Sequence, residues 1–138
     1  MEPRAMSYLS LARKAGKAEL GEEPVGGAAR AGKAYLIMVA SDASDHTWRR
    51  AKAYAAGTEQ QYARMPYTTQ EMGNAVGRSS LAIAAITDAP LALALLNSLP
   101  QPEAYRDIAE VLDKKSQKLK KRQEEARAHE RNVKKGKK

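Results

Sequence analysis

Apolar residues recur along this chain in two patterns, one typical of helices and one typical of buried strands. Helical spacing and helix-capping residues predict helices over residues 4–15, 22–31, 44–57, 68–77 and 90–98. Continuous apolar runs at 35–40 and 81–86 predict strands that are buried on both faces, and shorter strands are expected at 17–20 and 61–65. Helices and strands therefore alternate, which predicts an α/β fold with helices on both faces of one sheet.

Polar residues at the predicted helix starts support these boundaries. Ser44 and Asp88 have side chains that accept hydrogen bonds from the first free N–H groups of a helix. Thr68 is followed three residues later by Glu71, which is the spacing of a capping box.

The pattern changes after residue 99. Two prolines in residues 100–102 predict a linker, and residues 105–112 then show the apolar spacing of one more amphipathic helix. From Lys114 onward the apolar stripe fails, so core packing cannot hold a helix there along its whole length. We therefore predict a domain over residues 1–99, a linker at 100–102, and a basic extension at 103–138 that is helical or partly disordered.

Charge is concentrated in that extension. The net charge of the chain is +8, of which residues 103–138 carry +6. A cationic block of this kind indicates a polyanionic partner, most often a nucleic acid. The extension has no aromatic residue after Tyr105, so we expect phosphate contacts without base stacking from its first cations: Lys114, Lys115, Lys118, Lys120, Lys121 and Arg122.

Catalytic chemistry finds little support in the sequence. The chain has no cysteine, which excludes disulfides and thiolate metal sites. Residues 27–34 contain two glycines and a lysine at the spacing of a phosphate-binding loop. Such a loop follows a strand and begins a helix, whereas this segment ends a predicted helix and precedes a strand. Its last residue is an alanine, where the loop has a serine or threonine hydroxyl. Asp42, Asp45 and His46 could suggest a metal ion, yet these residues are also typical of turns and helix starts. We expect no catalytic residue, metal or cofactor.

The sequence also predicts where the protein is located. We expect neither a secretory signal nor a membrane span, which indicates a cytoplasmic protein.

Several short motifs, in order and at matching spacing, resemble one family. They are residues 9–17 (LSLARKAGK), 20–23 (LGEE), 32–36 (GKAYL), 39–44 (VASDAS), 72–77 (MGNAVG) and 84–89 (AAITDA). Together these motifs resemble the L7Ae/L30e superfamily of RNA-binding ribosomal proteins, and more narrowly its bacterial YlxQ-type branch.

The resemblance implies a fold, a partner and a site. The fold would be a three-layer α/β/α sandwich with a mixed four-stranded sheet, and the partner a kink-turn or related bent RNA, such as ribosomal RNA, bound by a monomer. Two loops of the family meet the RNA at one end of the sheet. The RNA-binding residues so implied, with cations added for phosphate contact, are Gly21, Glu22, Glu23, Arg30, Lys33, Gly77, Arg78, Ser79, Ser80 and Leu81.

One part of the family pattern is missing. Kink-turn readers of the family carry Asn-Glu at the start of the second helix and a lysine one turn later, where this chain has Glu23, Pro24 and Gly27. A second hypothesis therefore stays open, in which specific kink-turn recognition is lost. The protein would then act as a ribosome-assembly or protein-interaction module through the 105–112 helix and the basic extension.

Overall fold

A mixed four-stranded sheet forms the centre of the molecule. In this computed structural model, which describes residues 3–136 and the side chains of residues 3–130, the strands are β1 (Ala18–Leu20), β2 (Leu36–Val39), β3 (Gln61–Arg64) and β4 (Ile83–Ile86). Their order across the sheet is β1-β4-β2-β3. β4 runs antiparallel to both β1 and β2, while β2 and β3 are parallel.

Six helices cover the two faces of the sheet. They are α1 (Arg4–Lys14), α2 (Glu22–Arg30), α3 (Asp45–Ala55), α4 (Thr69–Ala75), α5 (Ala89–Asn97) and α6 (Arg106–Gly136), with a 3₁₀ turn at Pro102–Tyr105. Helices α2 and α3 pack on one face, whereas α1, α4, α5 and the start of α6 pack on the other. The predicted three-layer α/β/α sandwich with a basic helical extension is confirmed.

The central strands are apolar throughout because both of their faces are covered. In β2, Leu36 and Met38 belong to the core under α1, α4 and α5, while Ile37 and Val39 belong to the core under α2 and α3. All four side chains are fully buried. Successive side chains of a strand point to opposite faces, so a strand between two helical layers needs an unbroken apolar run.

The predicted helix caps are present. The Ser44 hydroxyl accepts from the Thr47 N–H at 3.2 Å, and the Asp88 carboxylate accepts from the Leu91 N–H at 3.0 Å. At the start of α4, the Thr68 hydroxyl accepts from the Glu71 N–H while the Glu71 carboxylate accepts from the Thr68 N–H, which completes the capping box.

The first turns of α6 are part of the core. Leu112 is fully buried, and Tyr105, Ile108 and Ala109 pack around the same cluster. The Tyr105 hydroxyl donates to the Arg64 carbonyl at 2.9 Å, which joins the 3₁₀ turn to the end of β3. Burial raises the pKa of Tyr105, so this phenol keeps the proton that it donates. The compact unit thus continues through the segment that the sequence suggested as a linker.

A search of the described residues for apolar helices finds none that is long enough to cross a bilayer.

Candidate functional site

Four connecting segments meet at one end of the sheet, and we call this surface the loop rim: residues 21–24, 40–44, 65–68 and 77–82. The Gly21 N–H donates to the Ile83 carbonyl at 3.0 Å, which sets the first segment beside the last. The Ala40 N–H donates to the Ala82 carbonyl at 2.9 Å, and the Ser41 N–H donates to the Tyr67 carbonyl at 2.8 Å. The two loops that the family resemblance implies are therefore neighbours, and two further turns lie beside them.

The start of α2 differs from the other helix starts at the loop rim. Helices α3 and α4 begin with a side-chain cap, whereas the residue before α2 is Gly21, at φ +96°, and no side-chain hydrogen bond caps this helix. Glu22 and Glu23 supply carboxylates in its first turn. The uncapped N–H groups at the start of a helix can donate to phosphate or base-edge acceptors.

The loop at residues 77–81 is held against α4 by backbone contacts. The Arg78 N–H donates to the Gly73 carbonyl at 2.8 Å, and the Leu81 N–H donates to the Thr69 carbonyl at 2.9 Å. Arg78, Ser79 and Ser80 are exposed. This loop therefore offers a cation and two hydroxyls on a fixed backbone.

The Leu81 side chain faces the core of the protein. It is only 4% exposed and belongs to the core under α1, α4 and α5. Leu81 therefore anchors the loop from below, and its contact with RNA stays a prediction.

Asp42 connects the turn after β2 to the start of α4. Its carboxylate accepts from the Thr69 N–H at 2.7 Å and from the Thr69 hydroxyl at 3.3 Å. The nearby His46 accepts at Nε2 from the Arg50 guanidinium at 3.3 Å. The acidic and histidine side chains described in the structure form no group of three that could hold a metal ion. Asp42 thus acts as a structural acceptor between two rim segments.

Arg64 fixes the turn at residues 40–44. Its guanidinium donates to the carbonyls of Ala40, Ser41 and Ala43 at 3.2–3.4 Å and lies 4.9 Å from the centre of the Trp48 ring. One planar cation therefore satisfies three carbonyls and stacks on an aromatic face.

We expect Arg64→Ala to lower the free energy of unfolding by about 1–2 kcal/mol, because three carbonyls lose a charged donor. Arg64→Lys should recover only part of this loss, since an ammonium keeps a charged donor but has no planar face to lie against the Trp48 ring. Urea denaturation followed by Trp48 fluorescence measures both. Arg49→Ala, at an exposed site on α3, is the control and should change the free energy by less than about 0.5 kcal/mol. Equal stability of Arg64→Ala and Arg49→Ala would contradict the role of Arg64 in fixing the turn at residues 40–44.

Arg30 and Lys33 lie away from the loop rim. They occupy the last turn of α2 and the segment just after it, next to the starting end of β2, whereas the loop rim follows the finishing end of β2. The sequence had grouped these two cations with the RNA-facing loops. Their position follows from α2, which joins the end of β1 at the loop rim to the start of β2 at the opposite end of the sheet. Their contacts with RNA stay a prediction.

The cations of α6 reach the same opposite end. Helix α6 starts near Arg64 at the finishing end of β3 and brings the Lys115 ammonium within 2.8 Å of the Glu59 carboxylate, just before β3 begins. It therefore runs along the edge strand in the reverse direction. Lys114, Lys115, Lys118 and Arg122 lie with Arg30 around two cavities at this end.

Sequence reasoning did not single out Gly73, Thr69 or Arg64 as supports of the loop rim. Thr69 and its partner Asp42 are separated by 27 positions, and Arg64 is more than 20 positions from the carbonyls that it contacts. Such pairs leave no local pattern. A glycine inside the predicted fourth helix, where glycine weakens a helix, was the only available signal for Gly73.

The mixed sheet between two helical layers, with two adjoining loops at one end, defines an α/β/α sandwich of ribosomal-protein type. The profile of the Ribosomal protein L7Ae/L30e/S12e/Gadd45 family matches residues 4–94, and the chain belongs to this family. The YlxQ-type branch within it stays a prediction. A search of curated proteins finds no significant match to this chain.

Two solved structures resemble the fold. One is a protein of unknown function from Bacillus halodurans, with a TM-score of 0.61 and 25% identity over 81% of this chain and 99% of that one. The other is the 15.5kD RNA binding protein of Giardia lamblia, with a TM-score of 0.56 and 18% identity over 79% of this chain and 82% of that one. At such identity the second likeness concerns the fold alone.

Proposed function

We propose that this protein is a non-enzymatic RNA-binding protein of ribosomal-protein type, which binds kink-turn-like RNA, such as a bent segment of ribosomal RNA, through the loop rim. Membership of the L7Ae/L30e/S12e/Gadd45 family supports RNA as the partner. We further propose that the protein acts as a monomer in the cytoplasm.

The observation that carries the proposal is the hydrogen bond between the Gly21 N–H and the Ile83 carbonyl. It sets the uncapped start of α2 beside the start of β4, which follows the exposed residues Arg78, Ser79 and Ser80 in the chain. Backbone N–H groups and Arg78 would donate to phosphates, while the carboxylates of Glu22 and Glu23 would accept from amino groups on base edges. A bent RNA can present both kinds of group to one small surface.

The alternative, a protein-interaction module, has less surface available than the sequence suggested. The apolar side of residues 105–112 was its expected docking face. Leu112 is fully buried there, and Tyr105 and Ile108 pack on the protein's own core. A partner protein could reach this face only after α6 had detached.

The test compares binding of a kink-turn RNA and a straight duplex of equal length by gel shift at several salt concentrations. We expect tighter binding of the kink-turn RNA, and we expect Arg78→Ala to reduce its logarithmic salt slope by about 0.7–0.9, the share of one phosphate contact. Arg13→Ala, at an exposed site on α1, should leave the slope unchanged. Equal binding of the two RNAs would leave only electrostatic attraction and would contradict the proposal.

A further inference from the structure

Two adjoining cavities form a groove at the end of the sheet opposite the loop rim. The larger has a volume of about 520 Å³ and lies between α6 and the starts of β2 and β3. The smaller, of about 340 Å³, lies between the end of α2 and the segment before β3. Tyr35, Glu59 and Lys115 line both cavities, so the two form one depression, which we call the basic groove.

The spacing of residues on α6 explains why one of its sides faces the basic groove. Lys114, Lys118 and Arg122 are spaced four residues apart and line the larger cavity, as do Val111, Lys115 and Leu119 at the same spacing. Residues four apart lie on one side of a helix, so these form two neighbouring rows. Lys120 and Lys121 belong to neither row and do not line either cavity.

The walls of the basic groove are held in place by the fold. The Gln60 side-chain amide donates to the Ala29 carbonyl at 3.0 Å, and its oxygen accepts from the Ala34 N–H at 2.9 Å. These two bonds tie the segment before β3 to the end of α2 and to the approach to β2. These elements are therefore fixed relative to one another on the side of the groove that faces α6.

Charge in the basic groove is strongly one-sided. Five cationic side chains line it, four from α6 and Arg30 from α2, against a single carboxylate, Glu59, among the described lining residues. That carboxylate is bonded to the Lys115 ammonium at 2.8 Å, and Lys115 holds the pKa of Glu59 below its usual range. The Glu59 carboxylate thus bonds an ammonium group that could instead bond another anion.

The remaining lining residues decide what kind of polyanion fits. Tyr35 supplies an aromatic surface, and Val111 and Leu119 supply apolar ones. Cations that follow a backbone, together with an aromatic side chain on which a base stacks, are the features of single-strand binding surfaces. A straight duplex would present phosphates alone and would leave the aromatic and apolar surfaces without a partner.

We propose that the basic groove binds a single-stranded RNA segment, with phosphates on Lys114, Lys115, Lys118 and Arg122 and a base against Tyr35. A phosphate displaces Glu59 from Lys115 when the strand enters. The protein then holds two RNA segments at once, one at each end of a sheet whose four-residue strands are about 13 Å long. The identification of the bound strand as RNA rests on the proposed function, whereas the basic groove as a site for a polyanion does not.

The experiment measures binding of a short fluorescent oligoadenylate to the full chain by anisotropy at several salt concentrations. Lys114→Ala with Lys118→Ala should weaken binding and lower the logarithmic salt slope by about 1.4, since each single-strand phosphate contact contributes about 0.7. The matched control is Lys120→Ala with Lys121→Ala, which removes the same charge from the same helix. We expect the control to lower the slope by less than half as much.

Glu59→Gln supplies a test in the opposite direction. It removes the competing carboxylate at nearly constant shape, so oligoadenylate should bind more tightly. The salt slope should stay the same, because Lys115 contacts a phosphate in both proteins. Tyr35→Leu should weaken binding without changing the slope, because it removes stacking and no charge.

These outcomes separate the groove from the loop rim. Arg78→Ala should leave oligoadenylate binding unchanged, and saturating kink-turn RNA should not displace the oligoadenylate. Failure of kink-turn RNA to bind would count against the loop rim alone. The groove proposal is overturned if oligoadenylate fails to bind, if the Lys120/Lys121 control loses as much as Lys114/Lys118, or if an oligoglutamate peptide binds more tightly than the RNA.

Discussion

Gly73→Ala is expected to lower the free energy of unfolding by about 1 kcal/mol and to weaken kink-turn RNA binding at the loop rim. A Cβ at this position would lie 2.8 Å from the Arg78 carbonyl oxygen and 2.8 Å from the backbone N and Cα of Ser80. Backbone atoms cannot swing away as a side chain can, so the whole loop must move. Overpacking of this kind typically costs about 1–3 kcal/mol, which outweighs the gain of about 1 kcal/mol from alanine in a helix.

Gly27→Ala is the matched control for this prediction. Gly27 is an exposed glycine inside α2, and a Cβ added there meets nothing within 4 Å. This substitution should raise the free energy of unfolding by about 0.5–1 kcal/mol. Urea denaturation measures both variants, and gel shift with kink-turn RNA measures the effect on the loop rim. A stabilised Gly73→Ala variant with full RNA binding would show that the loop at 77–81 is not held by this contact.

Leu112→Ala is expected to lower the free energy of unfolding by about 3 kcal/mol. Leu112 is fully buried in the core although it lies ten residues beyond the predicted linker. Removing a buried leucine side chain loses the transfer free energy of its atoms and leaves a cavity, which together cost about 2–5 kcal/mol. The effect should be as large as for a leucine of α5, since both side chains complete one cluster.

Leu119→Ala is the comparison variant, seven residues further along α6 than Leu112. Leu119 is only partly buried, so its replacement should cost less than about 1 kcal/mol. Urea denaturation with intrinsic fluorescence compares the two variants directly. If Leu112→Ala were as mild as Leu119→Ala, residues 103–138 would form an appendage outside the core, as the composition of the chain alone suggests.

The fold was largely accessible from the sequence because its signals are local. The apolar runs of β2 and β4 and the caps at Ser44, Thr68 and Asp88 are each encoded by residues within one or two turns of each other. For residues 103–138 the sequence left a helix and partial disorder both open. The site was accessible only in part. Its two loops came from the family resemblance, whereas the supports that hold them, such as Asp42 on Thr69, join residues far apart in the chain.

The same limit applies to where the predicted site residues lie. Leu81, Arg30 and Lys33 were grouped as RNA-binding residues, and the sequence did not show that Leu81 is buried or that the two cations lie at the other end of the sheet. The side on which Leu81 is buried depends on the helices that cover β4. The position of Arg30 depends on the direction in which α2 returns along the sheet, and no pattern in residues 22–34 records that direction.

The sequence by itself determined which segments are helices and strands, where most helices begin, and that positive charge accumulates after residue 113, because these properties arise among residues close together in the chain. The tertiary structure alone decided that β4 pairs between β1 and β2, that the start of α2 meets the 77–81 loop, and that the α6 cations lie at the other end beside Tyr35 and Glu59. These outcomes depend on strand pairing and helix docking between distant segments, whose free energy is gained only when the whole sandwich packs.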